Sequence, residues 1–465
     1  MPRSRWAIER FPYVIRRGGC SRIGMPEPCE FDGAVTPADL DEWKTEFETL
    51  CTRFEGRWYR TESREHFRQY LRGLLAPLAR KNSWTISEFT GERRPTAIQR
   101  FINLTAWDAD GLRDEVRAYA MEYFADSQAV LIADPTGFAK KGKKSAGVQR
   151  QYSGTLGRVD NCQIGTFLAY VNTAGDRVLI DRELYMPERS WCADPERRAE
   201  AGVPEHLTFA TRPQQVQAMI DRTLEAGVPF EWFAADEEFG QNHKLRRHLE
   251  ERQIAYCMAV PKNTSMTTGS VSTATCDPAL VEAIAARLGH HDWQRRACGI
   301  GSKGFRVYDW AMVDARFPGH QYVFRRNIAD GELAYFHCYN PGGRGLPELV
   351  RVIGSRWPIE ECFEAAKQEA GLAQYQFRLY HAWYRHITLA MLGLTFLAVL
   401  RRSAKRGPHP LWTTGGDPQH TTRGPAATTT NPWTNAQAAR PAPDPTVPRR
   451  DPPPVQPGRQ RRSHR

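Results

Sequence analysis

The sequence predicts a mixed α/β fold whose core sheet is built in the order βββ-α-β-α-β, followed further along the chain by one more core helix. Short apolar runs of strand length recur between residues 129 and 260, and helical patterns separate the later ones. Two aspartates, Asp134 and Asp236, directly follow such runs, and Glu360 stands near the start of a helix. Because strands and helices hold side chains rigidly, this placement predicts that the three carboxylates share one site.

The first three strands are expected in direct succession. Residues 129–133 (AVLIA) form an apolar run, and the breaker Pro135 predicts that this strand ends at Asp134. Residues 164–172 and 177–186 are rich in β-forming side chains. The short polar turn between these two segments predicts a hairpin.

Helices and strands are expected to alternate after this hairpin. Residues 213–226 have a helical pattern, and residues 230–235 form a short apolar strand that ends at Asp236. An amphipathic helix over residues 242–252 and a fifth strand over residues 254–260 complete the series. This succession is the order of a ribonuclease H-like sheet.

The third carboxylate is expected on a helix. Pro358 favours the first turn of a helix, where its missing N–H leaves no bond unmade, and Glu360 lies in that same turn. Exposed N–H groups and the positive end of the helix favour a carboxylate at this place. Lys367 follows two turns later on roughly the same face, and Gly371 is positioned to cap the far end.

Helical patterns dominate the chain before the sheet. Residues 1–36 show little periodic pattern, which predicts a poorly ordered N-terminal extension, and residues 37–125 predict a helical domain. The predicted helices of this domain cover residues 38–54, 63–79, 83–89, 95–103 and 109–124.

The catalytic core is expected in two parts, residues 126–262 and 346–402, because 124 positions separate Asp236 from Glu360. That distance is far more than one strand and one helix need. Residues 263–345 therefore predict a mainly β insertion, with strands at 304–313, 320–327 and 332–339. Residues 403–465 are rich in Pro, Thr and Arg with few aliphatic side chains, which predicts a disordered tail.

Composition narrows the class of protein. The 465 residues carry a net charge of +11, with 64 Lys and Arg against 53 Asp and Glu, which suits a polyanionic partner. Ten cysteines without a Cys-x-x-Cys pair argue against a zinc module and a secreted disulfide framework. Residues 387–400 form the longest apolar stretch, which is shorter than the roughly 20 residues that span a bilayer, so we expect a buried helix, no membrane and a cytoplasmic protein.

Three carboxylates at these places predict a divalent-metal site for phosphoryl transfer. Their hard oxygen ligands suit Mg²⁺ or Mn²⁺ and leave coordination positions open for a substrate phosphate. Two ions are expected, one activating the attacking water or 3′-OH and the other stabilising the leaving oxygen. Glu237 and Glu238 beside Asp236 are either further groups of this site or ordinary loop acids.

Several motifs in order resemble the DDE transposases of bacterial insertion sequences, in the insertion sequence 4 superfamily and closest to its insertion sequence 701 group. The resemblance covers roughly residues 37–402. The motifs are Asp134-Pro135-Thr136-Gly137-Phe138-Ala139-Lys140-Lys141-Gly142, Gly147-Val148-Gln149-Arg150-Gln151-Tyr152-Ser153-Gly154, Asn161-Cys162-Gln163-Ile164-Gly165, Asp181-Arg182-Glu183-Leu184-Tyr185, Lys303-Gly304 with Tyr308-Asp309-Trp310-Ala311, and Trp383-Tyr384-Arg385-His386-Ile387-Thr388-Leu389-Ala390-Met391.

The resemblance implies roles for residues around Glu360. The signature of the superfamily is Tyr, two residues, Arg, three residues, Glu, six residues, Lys, and Arg356, Glu360 and Lys367 keep its spacing. It implies that Glu360 is the third catalytic metal ligand beside Asp134 and Asp236, and that Arg356 and Lys367 touch DNA near the cut. This chain departs from the family at Ile353, which occupies the Tyr position, and at Pro135, where the family usually has another acid.

Further basic residues are candidates for DNA contact. The helical domain is implied to bind the ends of the element, with Lys81, Arg93, Arg94 and Arg100 as candidate phosphate contacts. In the loop after the first strand and in the insertion, the candidates are Lys140, Lys141, Lys143, Lys144, Arg325 and Arg326. Ordinary solvated charges are the alternative for each of them.

The function predicted from these observations is that of a DNA transposase, which cuts at the ends of an insertion sequence and joins them to target DNA. The expected partners are terminal inverted repeats and target DNA, and the expected active form is a homodimer. Two alternatives stay open. One is a ribonuclease H-like nuclease without strand transfer, and the other is a catalytically inactive DNA-binding relic of a transposase.

Overall fold

A computed structural model describes residues 37–267, 279–301 and 304–406. The chain begins there with five helices, as predicted. They are α1 (Pro37–Phe54), α2 (Thr61–Leu75), α3 (Ser83–Thr90), α4 (Thr96–Asn103) and α5 (Ala109–Phe124). Helix α2 ends four residues earlier than predicted, because Ala76 is extended and Pro77 follows it. Helix α3 starts at a capping box, in which the side chains of Asn82 and Thr85 each accept a backbone N–H of the other residue.

The first part of the sheet is antiparallel. Its strands are β1 (Val130–Ala139), β2 (Gln149–Ser153), β3 (Arg158–Val171) and β4 (Arg177–Leu184). Strand β3 pairs with β1 along one edge, and β2 and β4 lie end to end along its other edge. The predicted hairpin between β3 and β4 is confirmed, whereas the short strand β2 was not predicted.

The prediction that the first strand ends at Asp134 is wrong. Strand β1 runs on through Pro135 as far as Ala139, so Asp134 lies in the middle of the strand. The reason is the antiparallel partner: β3 pairs with β1 residue by residue up to the last pair, Ala139 with Cys162. Continuous pairing with a long neighbour keeps this segment extended in spite of the proline.

The second part of the sheet is parallel. After α6 (Pro195–Glu200) and α7 (Arg212–Glu225), strand β5 (Trp232–Ala235) pairs in parallel with β1. Helices α8 (Glu237–Gly240) and α9 (His243–Glu251) lead to β6 (Ala255–Val260), which pairs in parallel with β5. All four side chains of β5 are buried, as expected for a central parallel strand.

Most of the predicted insertion is β-structure, and its long strands extend the same sheet. The elements are β7 (Ser265–Met266), β8 (Ala279–Leu280), α10 (Val281–Ala285), β9 (Gln294–Gly301), β10 (Gly304–Asp314), β11 (His320–Arg326) and β12 (Leu333–Tyr339). Strand β12 pairs antiparallel with β6, and the mixed sheet of ten strands then continues through β11 and β10 to β9. Residues 268–278 and 302–303 of this segment lie outside the described residues.

Three helices complete the described chain: α11 (Leu346–Gly354), α12 (Pro358–Gln368) and α13 (Tyr380–Arg406). Helix α13 is the predicted buried helix and packs on α2, α4, α5 and β4. It is long and apolar enough to cross a membrane, yet 67% of its most apolar window is buried inside the protein. The predicted core ends at 402 and the predicted disordered tail starts at 403, but α13 continues to Arg406, so this boundary was placed too early. Residues 1–36 and 407–465, which hold the predicted N-terminal extension and most of the predicted tail, lie outside the described residues.

A buried ionic network fastens the helical segment to the sheet. Asp181 of β4 is fully buried and accepts from Arg222 Nε of α7 at 2.9 Å, with Arg113 Nη1 of α5 at 3.5 Å. The next residue, Arg182, is also fully buried and reaches Asp110 of α5 at 2.8 Å. A buried charge is tolerated only when it is paired, so these contacts hold α5 and α7 against β4 in one arrangement.

Candidate active site

Asp134 lies in β1, and Asp236 directly follows the parallel neighbour β5. The last residue pair between β1 and β5 is Ala133 with Ala235, and an aspartate comes directly after each of these alanines. After Asp236 the chain turns into α8, and the Asp236 carboxylate accepts the backbone N–H of Glu238 at 3.0 Å. The sheet therefore brings together two carboxylates that are 102 positions apart in the sequence.

Helix α12 brings the third carboxylate to the same strand. Glu360 lies in its first turn, as predicted from Pro358. In its last turn, Lys367 donates from Nζ to Thr136 Oγ1 at 2.7 Å, and Thr136 is two residues beyond Asp134 in β1. This bond fixes α12 alongside β1.

The charged residues around Asp134 are close enough to shift its pKa. Burial and then the negative charges of Asp236, Glu360 and Glu238 together raise it from 3.8 to about 7, while the charge of Arg356 opposes them. Burial lowers the pKa of Lys367, and the charge of Asp134 opposes that shift. Three predicted acids and two predicted basic residues thus act on one another around Asp134.

Comparison with known proteins finds similarity to DDE endonucleases and to a transposase. The sequence model of a family described as "DDE superfamily endonuclease" matches residues 49–279, just under half of the chain. The "Probable transposase for insertion sequence element IS701" of Microchaete diplosiphon is 27% identical over 213 residues, which are 44% of this chain and 53% of that protein.

The chain is therefore similar to DDE endonucleases and to an insertion-sequence transposase over about half of its length. It spans about half the length of the curated relative that it matches. Among solved structures, a piggyBac transposase synaptic complex with hairpin DNA is similar at a TM-score of 0.39 and 8% identity, over 78% of this chain and 74% of that one. The matched family span contains Asp134 and Asp236 and ends before Glu360, so the placement of Glu360 rests on α12.

DDE endonucleases generally use divalent metal ions, and the acids of this site fit such an ion in charge and in chemistry. Asp134 is half-buried, and the acids Asp236 and Glu360 add to the cost of its negative charge, which a divalent cation relieves. Their carboxylate oxygens are the ligands that Mg²⁺ prefers. As the side chains stand, no three residues of the metal-binding types within the described ranges are close enough to enclose one ion.

A cavity of about 370 Å³ opens beside Asp236 and reaches the insertion strands. Its lining residues are Asp236, Glu237, Ala259, Arg325, Ala334, Phe336, Ile353, Arg356 and Trp357. Trp357 stacks on Tyr308 of β10 with ring centroids 6.0 Å apart, and the Arg325 guanidinium lies 5.3 Å from the Trp357 ring centroid. The wall of this cavity therefore combines cationic and aromatic groups, a combination that suits nucleic acid.

The residues predicted to contact DNA fall into two groups. Arg356 and Arg325 line the cavity, and Lys367 lies beside Asp134. Arg326 follows Arg325 in β11 and therefore points to the other face of the sheet, where it pairs with Asp309 at 3.3 Å. In the loop after β1, the exposed lysines are Lys141, Lys143 and Lys144.

Two predicted phosphate contacts are turned inward. Lys140 donates from Nζ to the carbonyl oxygen of Tyr375 at 3.2 Å and lies 3.4 Å from the centroid of that ring, and burial lowers its pKa to about 7. Lys81 is only 3% exposed and donates to backbone carbonyls at the end of α12. As the structure stands, both ammonium groups serve the protein's own backbone, which argues against the predicted phosphate roles.

Two neighbours of the site were not assigned a definite role from the sequence. Thr136 accepts the Lys367 ammonium, and a threonine in a strand carries no pattern that distinguishes it from its neighbours. Glu238 adds negative charge at Asp134 and forms an ion pair with Arg212 Nε at 2.6 Å. Its position two residues after Asp236 was the sequence feature that could have indicated a role in the site, but acidic residues are common in loops at such places.

Proposed function

We propose that this protein is a DNA transposase that cuts at the ends of an insertion sequence and joins the 3′-OH to target DNA. The observation that carries the proposal is the half-buried carboxylate of Asp134, whose pKa is raised to about 7 by desolvation and by the acids Asp236 and Glu360. Three separate elements, β1, β5 and α12, supply these acids. A fold that concentrates negative charge in this way needs a cation to neutralise it, and a phosphodiester substrate brings none.

The arrangement of strands supports a ribonuclease H-like core. Strands β1, β3 and β4 form an antiparallel unit, and β5 and β6 join β1 in parallel with helices between them. Glu360 then comes from a helix that packs on the same unit after the insertion. The order βββ-α-β-α-β followed by a catalytic helix accounts for this connectivity once the extra strand β2 is set aside.

Asp134, Asp236 and Glu360 are the residues that would hold the metal in this proposal. When bound there, two Mg²⁺ or Mn²⁺ ions would make a water or a DNA 3′-OH nucleophilic at neutral pH and would stabilise the leaving oxygen. Arg356 is close enough to act on the pKa of Asp134, and its planar guanidinium can bind a phosphate through two parallel hydrogen bonds. Lys367, held by Thr136, places a second positive charge beside the same carboxylate.

DNA is the proposed partner, through terminal inverted repeats and target sequence. The exposed Lys141, Lys143 and Lys144 extend positive charge from the end of β1, where a phosphate backbone would gain by releasing its counterions. A homodimer that pairs two ends and a cytoplasmic location follow from this proposal. Neither carries the argument for the chemistry.

The test is cleavage and strand transfer on DNA that carries the gene's own flanking ends, with Mg²⁺ or Mn²⁺. Asp134→Asn, Asp236→Asn and Glu360→Gln should each abolish cleavage while end binding persists. Glu364→Gln is the matched control, because Glu364 lies one turn further along α12, is exposed and bonds to Gln368 at 2.8 Å. It should cut at the wild-type rate.

Three other outcomes have distinct meanings. Cleavage without joined products would indicate a ribonuclease H-like nuclease instead of a transposase. Tight binding of ends by a wild-type protein that never cuts would indicate an inactive relic, for which Ile353 in the family's Tyr position is the motivating departure. Full activity in any one of the three acid variants would remove that residue from the site.

A further inference from the structure

The end of helix α12 is held from outside the sheet. A helix leaves its last carbonyl groups without partners inside the helix, and they carry the negative end of the helix dipole. At the end of α12, Lys81 donates from Nζ to the carbonyl oxygen of Glu369 and lies 3.5 Å from that of Gln368. Lys81 belongs to the connection between α2 and α3, so the helical segment supplies this cap.

The environment of Lys81 leaves its ammonium group few other roles. The residue is 3% exposed, and an ammonium group buried to that degree must be paired to be tolerated. Its backbone N–H is also used, because it donates to Gln374 Oε1 at 2.6 Å in the segment after α12. Burial lowers the pKa of Lys81 to about 8, and the negative charge of Glu369 opposes this shift.

A second chain of hydrogen bonds joins the helical segment to the same turn. His386 of α13 contacts the carbonyl oxygen of Gly371 through Nε2 at 3.2 Å and the hydroxyl of Tyr70 through Nδ1 at 2.7 Å. Burial lowers the pKa of His386 to about 3, so the imidazole is neutral. Because a carbonyl can only accept, Nε2 carries the proton, and Tyr70 of α2 donates to Nδ1.

Gly371 allows the turn to approach Lys81 closely. Its φ of +68° lies in the left-handed region, and a Cβ atom there would stand 2.9 Å from Cδ of Lys81. The turn therefore closes around the lysine stem. The predicted cap at Gly371 is real, but the ammonium that completes it comes from a residue 288 positions earlier than Glu369.

The capped helix is the one that carries Glu360 and Lys367. Lys367 directly precedes Gln368, whose carbonyl lies near Lys81, and on its other side it reaches Thr136 in β1. The last turn of α12 is thus fixed between β1 and the helical segment. A shift of this turn moves Lys367 relative to Asp134 and changes the direction in which Glu360 points.

We propose that Lys81 is a positioning residue for the DDE site, which caps α12 from the helical segment and so holds Lys367 and Glu360 in place. This inference rests on the proposed function for its catalytic consequence. Its structural part, an ammonium that orders α12, stands apart from any reaction.

The experiment uses the full chain with Lys81→Met, Lys81→Arg and Lys44→Met. Methionine keeps the length of the side chain and removes the charge, and arginine restores the charge. Lys44 lies in α1, is 45% exposed in its side chain and pairs with Asp41, so Lys44→Met makes the same chemical change away from α12.

The first measurement is hydrogen exchange of peptides that cover residues 355–372, without metal or DNA. In Lys81→Met their amides should exchange at least about tenfold faster, because helix ends fray when their capping groups are lost. Peptides from β3 should be unchanged, and Lys44→Met should match wild type throughout. Lys81→Arg should restore most of the protection.

The second measurement is the single-turnover rate of end cleavage at saturating DNA, beside the Kd for the ends. Lys81→Met should slow cleavage by about 100-fold with the Kd within about threefold, since a small misplacement far from the chemistry has effects of this size. Lys81→Arg should keep its rate above pH 8, where the wild-type rate falls as Lys81 loses its proton. A simple structural defect would not produce that difference between the two pH profiles.

The outcomes separate this proposal from the proposed function. Unchanged exchange over residues 355–372 in Lys81→Met overturns the proposal, and so does equal damage in Lys81→Arg and Lys81→Met. If wild type cuts no DNA, the proposed function fails while exchange still decides the role of Lys81. If Lys81→Met does not fold, Lys81→Arg carries the test alone, and loss of protection there at neutral pH overturns the proposal.

Discussion

Replacing Asp134 by asparagine should make the metal-free protein more stable while it destroys the site. Burial and neighbouring acids raise the pKa of Asp134 from 3.8 to about 7. The folded protein therefore resists ionisation of this carboxyl more than the unfolded chain does, and each tenfold change in acidity is worth about 1.36 kcal/mol. Above pH 7 the wild type bears the full penalty, on the order of 4 kcal/mol, and Asp134→Asn removes it.

The pH dependence has a definite sign. Because the folded pKa is raised, the penalty is absent below about pH 4, grows as pH rises from 4 to 7 and is complete above 7. Urea unfolding in EDTA should therefore show a gain for Asp134→Asn that is largest at pH 8 and disappears near pH 4. Divalent metal should stabilise wild type and not the variant.

A matched control has the opposite sign. Asp309 keeps a pKa below its usual range, mainly because Arg295 and Arg326 bond to it, so Asp309→Asn should lower stability at pH 8. The reasoning about Asp134 is refuted if its asparagine variant is no more stable than wild type at pH 8, or if the gain does not depend on pH. Either result would mean that the acids around it do not repel one another in solution.

Three other perturbations test the packing and the charge of the molecule. Gly240→Ala should lower the free energy of unfolding by about 3 kcal/mol and impair cleavage, because the new Cβ would lie 1.8 Å from the carbonyl oxygen of Ala259. Gly56→Ala is the control and should do neither, because a Cβ at residue 56 would have no neighbouring atom within 4 Å. Arg222→Met should lower the free energy of unfolding in urea by about 3 kcal/mol, because the buried Asp181 loses its closest charged partner; an unchanged midpoint would contradict this. Exchanging three lysines for glutamine together should reduce the slope of log affinity against log salt for DNA by up to about 2.7, and an unchanged slope would exclude them from the interface. These lysines are Lys141, Lys143 and Lys144.

Much of the sheet could be predicted because its strands are short apolar runs between turn residues. The sites of Asp236 and Glu360 followed from the same local signals, the end of β5 and a proline in the first turn of α12. The end of β1 could not be predicted in this way, since pairing with the distant β3 carries it past Pro135. A proline does not end a strand when a long partner strand supplies hydrogen bonds on both sides of it.

Lysines were harder to assign than acids. A run of lysines beside a strand suggests a phosphate contact, but Lys140 and Lys81 donate to carbonyls of residues 235 and 288 positions away. The residues around Lys140 and Lys81 in the sequence do not indicate these distant partners. The acids were easier because a carboxylate buried at a strand has few structural roles, whereas a long flexible side chain can reach inward or outward from the same backbone position.

The packing of α13 also has a consequence for synthesis of the protein on the ribosome. Helices α2 and α5 are made early, yet their apolar faces pack on α13, which is the last element of the described chain. Until residues 380–406 leave the exit tunnel, those faces and the outer side of β4 have no cover. About 400 residues must therefore be synthesised before the core can pack completely. A product truncated ahead of α13 exposes apolar surface that chaperones and proteases recognise.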